Sequence, residues 1–593
     1  MAAKLEPISL ADIPAGGAFL LQPLGATTIH APESFTEEQR AYYRTARQFL
    51  EREVMPHVDR LEKKDYPLLV ELLRKAGELG LLMIEIPEAH GGLDLDRTTS
   101  MLVSEAMTTY GAWSVTVGGH TGIGTLPIVF FGSEAQKAKY LPQLATAEKI
   151  ACYCLTEAGS GSDALGAKTK ALLSPDGKQY VLNGVKQFIT NAGFADVFIV
   201  FAKIDGEKFT GFIVERTMPG LTVGKEEHKL GIRGSSTCQV LLEDCRVPVE
   251  NVLGEIGKGH KIAFNILNMG RLKLGVGAAG GCKHAIDEAA AYARDRRQFG
   301  KPILEFGLVR EKLARMAAVT YALESMAYRT TGLIDAKLAA AEGSGGDSHE
   351  RVIGALEEYA IESSILKVYG SEALTFVVDE AVQIHGGYGY VEEYPIERAY
   401  RDQRINRIFE GTNEINRMLV PGMLLKRALK GQLPLMEAVA ALDGASSAPA
   451  ASGSLAAQAE AAEACKRMAL FAVKHAVETF GTAIEERQEV LGAIADVVMQ
   501  AFAIESAVAR TRLYGEGDPV REALCRLLAY EARTTALARA RHALYCTLPV
   551  EAAGAAVERL EGWGRFAPPD PVADRELIVQ AIASQGGYPF PIR

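Results

Sequence analysis

The chain lacks an excess of positive charge. Its 64 Lys and Arg stand against 74 Asp and Glu, a net charge of −10. That removes the basic footprint a nucleic-acid partner requires. Cysteine is scarce: eight in 593 residues, with no CxxC pair. A disulfide-stapled scaffold is excluded, and a reduced cytoplasmic setting fits. Cys152 and Cys154 flank Tyr153 on an expected strand and read as small core residues. No basic n-region precedes a long apolar run. The first Arg is Arg40, and Glu6 and Asp12 argue against an Arg-rich transit segment. No stretch reads as the roughly 20 uncharged apolar residues of a membrane-spanning helix. His385 has no second His or Cys at ligand spacing, so it reads as structural and no metal site is expected.

What is present is length and ordinary composition. At 48% apolar and 23% charged residues, the chain matches soluble globular proteins. Its length suggests roughly four domains. Residues 1–34 read as an irregular extension rich in Pro and Gly. Helical periodicity begins near Phe35, with Thr36 placed to cap, and dominates 35–149. Residues 150–258 change texture. Ala151–Thr156, Gln179–Gly184, Val197–Phe201 and Thr210–Val214 read as strands between turn signals, giving an antiparallel barrel or sandwich. Helices return over about 259–295, 307–340, 350–385 and 413–430, within a bundle spanning 259–439. Glu342–Asp347 reads as a loop between two of them. Residues 440–454, rich in Ala, Ser and Gly, read as a linker. Residues 455–593 read as a further helical domain with a Pro-rich tail from Pro568. The fold class is α+β, in the order helical, β, helical, linker, helical.

Four separated segments carry chemistry. In Arg407-Ile408-Phe409-Glu410-Gly411-Thr412-Asn413, an apolar stretch presents one carboxylate and breaks at glycine. Thr412 or Asn413 can cap the helix that follows. A carboxylate at the edge of an apolar pocket has a raised pKa and suits proton abstraction from carbon. Tyr153 to Asp163 runs a strand into the Gly/Ser loop Gly159-Ser160-Gly161-Ser162. Such a loop offers backbone N–H groups and hydroxyls to an anionic or carbonyl-rich ligand. Phe188 and Thr190, two apart on a strand, project from one face and can stack on and bond to a flat heterocycle. Arg296, Arg297 and Gln298 end the long helix, and Gln383-Ile384-His385-Gly386-Gly387 offers a Gly-Gly turn; together they suit a pyrophosphate. Each segment alone also fits a plainer role: a solvated Glu, a polar turn, a core Phe with an edge Thr, a solvated helix end.

Taken together and in order, these motifs resemble the acyl-CoA dehydrogenase family over about residues 35–430. They are Tyr153-Cys154-Leu155-Thr156-Glu157 with Gly161-Ser162-Asp163, the Phe188/Thr190 strand, Arg296-Arg297-Gln298-Phe299-Gly300, Gln383–Gly387, and Phe409-Glu410-Gly411-Thr412. The extra C-terminal helices are similar to those of the very-long-chain subgroup and its bacterial relatives. The resemblance implies an N-terminal helical domain, a middle β-barrel, a C-terminal four-helix bundle and an additional helical domain.

It implies FAD as cofactor and an acyl-CoA thioester as substrate. Glu410 would take the α-proton while the β-hydrogen leaves as hydride to the flavin, and its backbone N–H would help polarise the thioester carbonyl. Tyr153, Leu155, Thr156, Phe188 and Thr190 match positions around the flavin ring, and Ser162 one near flavin and CoA. Arg296, Gln298, Phe299, Gln383, Gly386 and Gly387 match residues that reach the adenosine diphosphate of a neighbouring subunit's FAD, implying at least a dimer. Thr412 and Glu414 match further flavin positions. Asn268, Met269, Gly270, Arg271, Phe409 and Gly411 match substrate-contacting positions, Arg271 lying behind the base.

There are departures. Phe188 stands where many relatives have Trp, and Glu414 where several have Gln. Gly270 stands where some subgroups carry the base, leaving Glu410 without a competitor. Gly270 and the run Gly118-Gly119-His120-Thr121-Gly122-Ile123-Gly124 leave space for a long acyl chain, though helix packing also explains them. Residues 455–593 hold 15 Lys and Arg against 18 Asp and Glu, so membrane contact is at most peripheral to the inner membrane. Electron-transfer flavoprotein is the implied electron acceptor and fatty-acid β-oxidation the implied role. The rivals are an acyl-CoA oxidase and a non-enzymatic assembly protein on the same fold.

Overall fold

Thr36 and Gln39 cap each other and start the first long helix. Thr36 Oγ1 accepts from the Gln39 N–H at 3.1 Å, and Gln39 Oε1 accepts from the Thr36 N–H at 2.9 Å. The computed structural model describes residues 13–24, 29–341, 348–442, 453–565 and 569–593. The expected loop Glu342–Asp347, residues 443–452 of the expected linker and Pro568 lie outside them. From Glu37–Phe49 to Glu134–Ala145, helices dominate. Their apolar faces meet in a core around Phe49, Leu72, Met107 and Trp113.

The β segment forms an eight-stranded sheet. All four expected strands are present, and Gln179–Thr190 runs beyond the expected Gly184. The expectation of an antiparallel sheet needs correction: Val197–Ile204 pairs in parallel with Ala151–Cys154 and with Lys170–Leu173. Alternation divides the strands cleanly. Cys152, Cys154, Phe198 and Val200 point into the sheet's own core, while Tyr153, Ile199 and Phe201 face the helical core. All eight cysteines are free and seven are buried.

The expected bundle helices run Gly259–Asp295, Gly307–Ala340, Ala360–His385 and Asn413–Leu429. The expected 350–385 helix is two, because the chain breaks at Tyr359. There the Tyr359 hydroxyl donates to Pro14 O at 2.8 Å, while the Gly16 and Gly17 N–H groups donate to Glu358 and Glu362. Glu362 is held up to about 7 by burial. Phe19 is buried against Phe502, ring centres 4.5 Å apart. Residues 13–24 are therefore wedged between the bundle and the C-terminal helices.

The C-terminal helices Ala456–Phe480, Gln488–Tyr514 and Pro519–Thr547 pack on one another, and the second and third pack on Gly307–Ala340. A buried ionic cluster joins them to the rest. Arg510 holds Glu324 at 2.7 Å and Glu33 at 2.9 Å. Lys283 holds Glu105 at 2.6 Å and also pairs with Glu324. Two segments, Gly111–Phe131 and Gln488–Tyr514, do pass a membrane test of length and hydropathy, contrary to the expectation above. The most apolar stretch of 18 residues in each is 67% and 89% buried within the fold, so packing explains their apolarity.

Candidate active site

Gly259–Asp295 forms one wall of a large cavity. Gly270, Lys273, Leu274, Gly277, Gly281 and His284 recur at helical spacing and all line it. Facing them are the apolar residues Leu82, Ile84, Val103 and Met107, and the turn Gly119–Gly124. That turn is π-helical, a geometry that recurs at functional sites. The glycines at 118, 122 and 124 divide the two expectations between them. A Cβ on Gly118 would meet nothing within 4 Å and one on Gly122 only Lys273 Cδ at 3.9 Å, so both face open space. A Cβ on Gly124 would lie 2.7 Å from Gly119 O, so that glycine serves packing.

Glu410 closes the cavity. It adopts a left-handed backbone, φ 59°, and Gly411 follows at 79°, a conformation that costs about 1–3 kcal/mol for a non-glycine residue. The surroundings hold it. Arg271 Nε and Asn416 Nδ2 each donate to Glu410 O at 3.3 Å, and Asn416 also donates to Gly411 O and Thr412 O. Thr412, rather than Asn413, caps the next helix through the Ile415 N–H. With its carbonyl so held, the Glu410 N–H has no acceptor among the described residues.

Glu410 is half-buried, and its carboxylate lies in the cavity lining. Its Oε2 is inaccessible and has no hydrogen-bond partner. Burial pushes it up to about 7, against the pull of Arg271 and Lys367. A Cβ on Gly270 would sit 2.4 Å from Oε2, so the absent side chain makes room for this carboxylate. The result is a proton acceptor poised near neutrality, facing a deep, mostly apolar chamber.

Models of the "Acyl-CoA dehydrogenase" N-terminal, middle and C-terminal domains match residues 36–148, 152–245 and 257–424, and a further C-terminal domain model matches 464–551. The chain belongs to the acyl-CoA dehydrogenase family. A "Probable acyl-CoA dehydrogenase" of Bacillus subtilis is 51% identical over 84% of this chain and 85% of that protein. The mitochondrial "Very long-chain specific acyl-CoA dehydrogenase" of Macaca fascicularis is 44% identical over 58% of this chain and 51% of its own length. A crystal structure of an acyl-CoA dehydrogenase complexed with FAD, from Bacillus anthracis, superposes with a TM-score of 0.95. It is 45% identical, and the match covers 97% of this chain and all of that one.

The expected acyl-CoA dehydrogenase site residues fall into three groups. Thr190, Met269, Gly270, Phe409 and Glu410 line the cavity. Tyr153, buried beside it, feels the Glu410 charge, and its hydroxyl has no partner. Asn268 and Arg271 are buried behind the wall, bonded to each other at 2.9 Å. The second group is the surface strand-end: Leu155 is buried, Thr156 half-buried and Ser162 exposed. Phe188 sits 62% exposed at a bulge, left-handed at φ 58°. The bulge interrupts the simple alternation assumed for Phe188 and Thr190.

The third group lies on a separate surface. Arg296, Gln298, Gly386 and Gly387 line a second pocket with Tyr292 and Tyr388. Gln383 ends the neighbouring helix, and Phe299 is 93% exposed. His385 is structural: Nδ1 pairs with Ala381 O at 2.8 Å and the ring stacks on Tyr292. Glu414 is exposed in the first turn after Thr412.

Sequence reasoning missed Lys367. Its Nζ donates to Asn413 Oδ1 at 2.7 Å, and burial lowers it to about 7 against the pull of Glu410. A lysine inside the apolar run Ile365-Leu366-Lys367-Val368 was the available signal.

Proposed function

We propose that this chain dehydrogenates long-chain acyl-CoA thioesters to trans-2-enoyl-CoA, with Glu410 as base and FAD as cofactor. The observation that carries this reading is the half-buried Glu410 carboxylate, one oxygen inaccessible and unpartnered, in the lining of a mostly apolar chamber. Bound FAD supplies the acceptor for the β-hydrogen as hydride. The residues present fit it. The Tyr153 hydroxyl is buried without a partner, and Phe188 presents an open aromatic face.

Tyr153, Leu155, Thr156, Ser162, Phe188, Thr190, Thr412 and Glu414 would hold the flavin half. Arg296, Gln298, Phe299, Gln383, Gly386 and Gly387 would hold the adenosine-diphosphate half of a neighbouring subunit's FAD. The exposed Phe299 and the Arg296 pocket support that assignment, which makes the enzyme at least a dimer.

The Glu410 carboxylate takes the proton from the α-carbon. The free Glu410 N–H is placed to stabilise negative charge on the thioester oxygen as that proton leaves. Met269, Gly270, Phe409 and Gly411 shape the space around the reacting carbons, with Asn268 and Arg271 bracing them from behind. Electron-transfer flavoprotein is the proposed acceptor, the setting cytoplasmic, and the role the first step of fatty-acid β-oxidation.

The test is an anaerobic titration of the flavin-loaded protein with palmitoyl-CoA. Bleaching of the flavin is expected, with butyryl-CoA at least tenfold poorer in kcat/KM. A preference for butyryl-CoA would sink the long-chain reading. Rapid oxygen uptake on turnover would point to an oxidase instead.

Only the ionised form of Glu410 accepts a proton. Its carboxyl is raised to about 7 by burial, so kcat/KM should fall below that pH, about tenfold per unit once well below it. A rate of flavin reduction that stays flat from pH 8 to pH 5 would show the base is not this carboxylate.

A further inference from the structure

The cavity is mostly apolar, with polar groups such as His284, Arg398, Asp402 and Gln403 in its lining and one lysine–carboxylate pair on its long-helix wall. Lys273 stands one helical turn beyond Gly270, about 4.5 Å along the axis. Its Nζ holds Glu85 Oε2 at 2.5 Å. Glu85 also pairs with Arg97 and accepts from Ser100 Oγ at 2.8 Å. Lys273, Glu85 and Ser100 all line the cavity, and the lysine stem lies open toward Gly122. Glu85 is buried, yet its lysine and arginine partners overcome the cost of burial and hold it down to about 2, so it is ionised.

An ammonium carries three N–H donors. Among the described residues Glu85 is the only hydrogen-bond partner of Lys273, so two donors remain for the cavity. A carboxylate has roughly four acceptor sites. Lys273, Ser100 and Arg97 occupy three of them. A bare hydrocarbon chain passing here strips water from these groups and returns no hydrogen bond. A second carboxylate would meet Lys273 but also face Glu85. A hydroxyl fits both neighbours, accepting from Lys273 and donating to Glu85.

We propose that Lys273 and Glu85 form a hydroxyl-recognition site in the acyl chamber, which admits long acyl-CoA chains hydroxylated near mid-chain. The proposal rests on the acyl-CoA reading above. Lys273 lies on the next turn after Gly270, which faces Glu410, so the hydroxyl sits beyond the carbons that meet Glu410.

The experiment compares palmitoyl-CoA with palmitoyl-CoA carrying one hydroxyl, moved in turn across the middle of the chain. Wild type, K273M and K273R are assayed for kcat/KM with flavin loading verified. In the wild type, one or two hydroxyl positions should equal or exceed the plain chain. K273M should lower that hydroxylated-to-plain ratio about tenfold or more, and K273R should restore most of it. If every hydroxylated chain is at least tenfold poorer than palmitoyl-CoA in the wild type, or K273M leaves the ratio unchanged, the site is overturned while the parent reading stands. Failure of all chains, plain and hydroxylated, to reduce the flavin sinks both. Should K273M not fold, the wild-type profile alone decides.

Discussion

Glu410→Gln is expected to end flavin reduction by palmitoyl-CoA, slowing it by about 10²- to 10⁴-fold, the range attributable to a positioned general base. Gln has nearly the same shape, and the Glu410 carbonyl is held by Arg271 and Asn416 independently of the side chain. The free Glu410 N–H therefore survives, as do the residues proposed to hold the flavin. The variant should bind FAD and acyl-CoA normally, leaving proton abstraction as the lost step. Reduction at near wild-type rate in this variant would move the base elsewhere. Equal loss of flavin content would show a structural role instead.

The second large effect is on stability. Arg510 is fully buried, with Glu324 and Glu33 on its guanidinium and Tyr321 beneath it, 4.5 Å from the ring centre. Arg510→Met keeps much of the volume and removes the charge. Breaking one partner of a buried ionic cluster costs about 3–5 kcal/mol, because the charges left behind stay desolvated. Burial pushes Glu33 up, but Arg510 and Arg521 bring it down to about 2. A depressed carboxyl stabilises above its ordinary range and loses that contribution only as pH falls toward 2. The variant should therefore show, at neutral pH, an earlier calorimetric transition for the C-terminal helices. A transition unmoved within the error of the scan would mean the cluster contributes little.

Much of the architecture was legible because it rests on local periodicity. Two bundle helices fall at the expected 259–295 and 307–340, where apolar spacing and end signals agree. The break at Tyr359 carried no Gly or Pro. It arises from contacts with Pro14, Gly16 and Gly17, more than 300 positions away. Lys170–Leu173 buries only Ala171, too little to stand out, and its parallel pairing depends on a distant strand.

The site follows the same division. Glu410 was visible as a carboxylate between an apolar run and a glycine. Lys367, Asn416 and the Lys273–Glu85 pair were not, because each gains its meaning from a partner on another element. The glycines near 120 looked alike in sequence, and only the space around each separates chamber from packing.

The Gly259–Asp295 helix has a bearing on how this chain can change over evolutionary time. Gly270 and Lys273 in its first half, Lys283 in the ionic cluster and Arg296 just past its end all depend on one unbroken rod of 37 residues. Inserting or deleting one residue near its start would turn everything downstream by about 100° and slide it about 1.5 Å. Chamber, cluster and surface pocket would lose register together. Length variation among descendants of this sequence must therefore accumulate elsewhere, and a frame of this helix free of insertions and deletions is the signature by which its working descendants can be told from decayed copies.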